Sequence, residues 1–81
     1  MKKIEFETLA AAGALADVVI FQSVASSGYE LWAYPENTYG GQSNVFKTAK
    51  GETRVWSSLD VLVKFVRSMG YPGLIKLDTV P

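Results

Sequence analysis

Residues 44–78, NVFKTAKGETRVWSSLDVLVKFVRSMGYPGLIKLD, carry three structural signals in succession and decide the fold. Val45–Thr48 and Thr53–Trp56 flank Ala49-Lys50-Gly51-Glu52, the pattern of a β-hairpin with Lys50-Gly51 at its tip. In that register Phe46 faces Val55 and Lys47 faces Arg54. Opposed like charges are mildly unfavourable. The pairing therefore requires either a bulge that shifts the register or an acidic group between the two cations.

The spacing then predicts an amphipathic helix over 58–69. Leu59, Leu62, Val66 and Met69 recur on one face, and Val63 and Phe65 widen it. Ser57 is placed to cap its start, with Asp60 three residues on. Asp60 and Lys64 form an i,i+4 pair, and Arg67 suits the negative end of the helix dipole. Gly70 ends the helix and Pro72 prevents its resumption. Leu74–Asp78 reads as a closing strand.

Upstream, Val18-Val19-Ile20-Phe21 has the composition of an interior strand. Ala25–Gly28 marks a turn, and Tyr29–Tyr34 resumes as the second arm of a hairpin. Tyr29, Leu31 and Ala33 share one face of that arm; Glu30, Trp32 and Tyr34 share the other. Pro35–Ser43 is a loop by composition, with Tyr39 beside Gly40-Gly41. At the N-terminus, alternation at Ile4 and Phe6 reads as a short strand. Thr8 then caps a brief helix through Leu15, unless that segment stays extended. The expectation is one α+β domain over residues 1–81. Its small, mostly antiparallel sheet comprises two hairpins and a C-terminal strand, packed by the 58–69 helix and the short N-terminal helix.

Composition narrows the function. Hydrophobic residues make up 48% of the 81, too many for a disordered tail. No apolar run approaches the roughly 20 residues that span a bilayer. Lys2 and Lys3 open the chain and Ala14-Leu15-Ala16 has a cleavage-site form. Glu5 and Glu7 interrupt the start, however, and the apolar stretch is too short for a secretory leader. The absence of cysteine fits a cytoplasmic location and removes disulfides and thiolate metal sites. With no histidine either, the usual general base, nucleophile pairs and transition-metal ligands are missing. No serine sits in a G-x-S-x-G turn, and no phosphate-cradling glycine motif is present. Glu5 and Glu7 alone are a solvated edge. The reading is a non-enzyme with no cofactor and no metal.

Two groups of residues are candidates for contact. If Leu31 and Ala33 face the core, Trp32 and Tyr34 face outward, with Tyr39 near them in sequence. Exposed aromatics of this kind mark protein interfaces, and a homodimer would bury them. Alternatively, Lys47, Lys50 and Arg54 share one hairpin with Phe46 and Trp56. Basic side chains beside stacking aromatics hold single-stranded nucleic acid, and a basic hairpin fits a major groove. Eight cations balance eight carboxylates, which argues against a chain-wide basic surface but not against a local patch. A small inhibitor of a host defence complex fits the size, without any residue that points to it.

The run Lys47-Thr48-Ala49-Lys50-Gly51-Glu52-Thr53-Arg54-Val55-Trp56-Ser57-Ser58-Leu59-Asp60, with Phe65, Met69-Gly70 and Ile75–Asp78, resembles the small ParC-type partition-associated proteins of plasmids and integrating conjugative elements. The opening Phe6-Glu7-Thr8-Leu9-Ala10-Ala11-Ala12-Gly13-Ala14 is similar as well; Pro35–Ser43 departs from the pattern. The resemblance implies an accessory role in plasmid maintenance and carries no catalytic residues.

Overall fold

A computed structural model describes residues 1–23, 27–36 and 44–78. Helix α1 spans Lys3–Ala11, strand β1 Leu15–Gln22 and β2 Tyr29–Pro35. Strand β3 is Val55–Trp56, helix α2 Leu59–Ser68 and β4 Ile75–Asp78. The four strands form one sheet in the order β3-β2-β1-β4. β1 and β2 are the antiparallel hairpin expected of their sequence, with Val19 opposite Trp32 and Ile20 opposite Leu31. β3 adds to β2 antiparallel, whereas β4 joins β1 in parallel. β3 and β4 thus run the same way at opposite ends of the sheet, and α2 carries the chain across from one to the other.

The core lies between the sheet and the two helices. Phe6 and Ala10 of α1, and Leu62 and Val66 of α2, close over Val18, Ile20, Leu31 and Ala33. Phe46 sits at the centre, edge-on to Phe6 at 6.2 Å and to Phe65 at 5.7 Å, with Trp56 tilted against it at 5.8 Å. Aromatic pairs in this geometry contribute beyond the area they bury.

Three local expectations are corrected. The N-terminal segment is helical from Lys3, not a strand at Ile4–Phe6 followed by a helix from Thr8. Phe6 and Ala10 are one helical turn apart and both buried, so period four overrides the short alternation. Glu5 also accepts the Lys2 N–H at 3.4 Å, as a capping-box acid does. In α2 the cap is Ser58, not Ser57: its hydroxyl accepts the Val61 N–H at 3.4 Å. In the segment before β3, Lys47 bridges to Thr53 rather than to Arg54. The Arg54 N–H donates to the Phe46 carbonyl at 3.0 Å and the Thr48 N–H to that of Glu52 at 2.7 Å. The shifted register separates the two cations, so no acidic group is needed between them.

The end of α2 is as expected. Gly70 takes φ +96°, and Arg67 donates to the carbonyls of Tyr71 at 3.1 Å and Gly73 at 2.6 Å. That clamp turns the chain into β4.

Candidate functional site

Both helices pack on the same face of the sheet, so the strand alternation leaves a second face outside the core. Asp17, Val19 and Phe21 of β1 and Glu30, Trp32 and Tyr34 of β2 lie on it in register. Lys76 and Asp78 extend it onto β4, where they pair with Val19 and Phe21. Leu31 and Ala33 are at most 1% exposed, whereas Trp32 and Tyr34 are half-buried. Of the two faces the sequence leaves open for Trp32 and Tyr34, they therefore take the one away from the helices. Tyr39 lies outside the described residues.

This outer face has an apolar centre and a charged rim. Phe21 meets Trp32 edge-on, with ring centroids 5.8 Å apart. The Trp32 indole N–H donates to Glu30 at 3.2 Å, which satisfies its only polar group within the face. Asp17 and Lys76 form an ion pair at 2.9 Å across β1 and β4. Val19 and Phe21 were missed as contact candidates. Their signal is parity: once Val18 and Ile20 are assigned to the core, their neighbours must point the other way.

The basic group is larger than the hairpin alone indicates, and less aromatic. Lys2 donates from Nζ to the Ala49 carbonyl at 3.2 Å, and the Lys47 N–H donates to the Met1 carbonyl at 2.7 Å. Lys3 and Arg54 both lie over the Phe65 ring, at 5.9 and 5.1 Å, and Arg54 also covers Trp56 at 4.8 Å. Burial lowers the Met1 ammonium from its ordinary value against an opposing pull from Glu5, and Lys47 and Lys2 lower it further. Lys2 and Lys3 therefore join Lys47, Lys50 and Arg54 at one end of the molecule. Five of the eight cations stand there, with Glu5, Glu7 and Glu52 in the same segments. Phe46 and Trp56, however, are buried in the core at 2% and 5% exposure, so they are no platform for stacked bases. Lys2 and Lys3 precede the hairpin by more than forty residues, and only the tertiary fold brings them to it.

Among the described residues, no group of three or more acidic side chains is placed to hold a metal ion. A surface cleft beside α1 is lined by Ile4, Glu5, Thr8 and Leu9. None of the described helices is long and apolar enough to cross a membrane. No family model matches the chain, and no curated protein or solved structure does either.

Proposed function

We propose that the chain is a non-catalytic protein-interaction module, acting in the cytoplasm as a homodimer and contacting a partner protein through the outer face of its sheet. The observation that carries this is the one-sided packing. Both helices cover one face, and Phe21, Trp32 and Tyr34 stand half-buried on the other. The partner that fits is a protein with an apolar patch and a basic rim, since Asp17 and Glu30 border the aromatic centre. The likeness to ParC-type partition-associated proteins supports a setting on a bacterial mobile element, in plasmid partition or maintenance. The lack of histidine and cysteine in the sequence supports the absence of catalysis.

Site-specific crosslinking in a host carrying the element tests the reading. A photoreactive residue replaces Tyr34, or Val61 on the opposite side of the molecule. A discrete adduct from position 34 alone, lost with Trp32→Ala, is the expected result. Equal adducts from both positions contradict it.

A second reading, nucleic-acid binding, is favoured by one observation: Lys2 and Lys3 complete a basic end around Lys47, Lys50 and Arg54. With the aromatics buried, contact would run through phosphates rather than bases. The absence of binding to duplex and single-stranded DNA at low salt would contradict this reading.

A further inference from the structure

From the edge of the sheet we infer that the second copy of the chain docks on β4, antiparallel to its counterpart, in the register that sets Leu77 opposite Leu77. This rests on the homodimer reading and specifies its interface. Among the described residues β4 closes the sheet at one end and pairs with β1 alone, so its other side presents a row of backbone donors and acceptors that none of those residues pairs. Such an edge is a template for another strand unless something protects it. At the opposite end, β3 is only two residues long, and Val45 bridges to β2 beyond it.

β4 carries little protection. Leu74 and Leu77 are 75% and 50% exposed. A lysine at an edge ordinarily deters pairing, but Lys76 is drawn inward to Asp17 at 2.9 Å. Its charge therefore lies over the sheet on the β1 side, and a strand docked at the edge would share it with Asp17.

Charge selects the register. A two-fold axis normal to the sheet keeps both outer faces on the same side. Centring the pair on Lys76 opposes two lysines, and centring it on Asp78 opposes two aspartates. Centring on Ile75 sets Lys76 against Leu74. Centring on Leu77 sets Lys76 against Asp78 of the other copy, twice by symmetry, with the two Leu77 side chains in contact. Opposite charges directly across a strand pair favour it, and like charges disfavour it. The resulting eight-stranded sheet joins the two outer faces into one continuous surface.

Sedimentation across a range of concentrations tests this with three samples. Lys76→Asp alone and Asp78→Lys alone each turn both cross-strand pairs repulsive, and each weakens association by about tenfold or more. Mixed in equal amounts, the two variants pair with each other. The introduced aspartate of one copy then faces the introduced lysine of the other, the native Asp78 faces the native Lys76, and association returns. Far-UV circular dichroism of each variant separates loss of association from loss of fold. An exposed pair such as Lys76–Asp17 contributes little to stability, so both variants fold. A wild-type chain that stays monomeric at every concentration overturns both the homodimer and the interface. A dimer indifferent to both substitutions, or a mixture no better than its components, leaves the homodimer standing and overturns the β4 interface.

Discussion

Phe6 and Trp32 are both large aromatics, and the sheet puts them on opposite sides of it. Phe6 is fully buried against Phe46 and Tyr71, at 6.2 and 6.4 Å. Phe6→Ala leaves a cavity at the heart of the core and costs about 3–5 kcal/mol, read as a lower urea midpoint. Trp32 packs against Phe21 and Glu30 on the outer face, so Trp32→Ala costs about 1–2 kcal/mol and the chain still folds. Equal losses for the two variants would place Trp32 in the core. In β2 the separation of Leu31 and Ala33 from Trp32 and Tyr34 was legible as period-two alternation, but which set faces the core was not, because a helix laid over either face fits that pattern. At Phe6 even the periodicity was not legible. There a five-residue alternation and a helical turn predict the same apolar positions until Ala10 is known to be buried too.

At the scale of elements, α2 is the part most fully written in the sequence. Its apolar stripe, its glycine stop at Gly70 and the Arg67 clamp are all local signals, and local signals survive in a short chain. The cap was displaced by one residue because Ser57 and Ser58 are chemically equal candidates, and only the backbone entry angle chooses between them. Ser58→Ala removes the hydroxyl that holds the Val61 N–H. It costs about 1 kcal/mol, some 4–8 °C in melting temperature, whereas Ser57→Ala leaves the midpoint unchanged. The join between β2 and β3 is equally sensitive. A Cβ at Gly28 would collide with Val55 and lie 2.7 Å from the Trp56 carbonyl. Gly28→Ala therefore loosens β3 and lowers stability by about 1–3 kcal/mol in thermal unfolding. The parallel pairing of β4 with β1 had no local signal at all. Strand order is fixed by how α2 crosses the sheet, which no stretch of residues encodes alone.

For the whole molecule, a formal net charge of zero conceals a local grouping of cations. Lys2, Lys3, Lys47, Lys50 and Arg54 gather from the N-terminus and the segment before β3. If five phosphates are neutralised there, binding to duplex DNA falls with salt at a log–log slope of about −4 to −5. Lys2→Gln or Lys50→Gln lowers that slope by about 1, and Lys64→Gln does not change it. A slope near zero would show that the grouped cations serve no polyanion.

The sheet gives one face to its core and leaves the other outside it, and the two tryptophans report on the two sides. Acrylamide quenching of dilute single-tryptophan variants reads them apart, with Trp56→Phe leaving only Trp32 and Trp32→Phe leaving only Trp56. Trp32, half-buried on the outer face, is expected to be readily quenched, and Trp56, 5% exposed within the core, to be protected. Equal protection of both tryptophans, or a quenchable Trp56 beside a shielded Trp32, would contradict that division of the sheet.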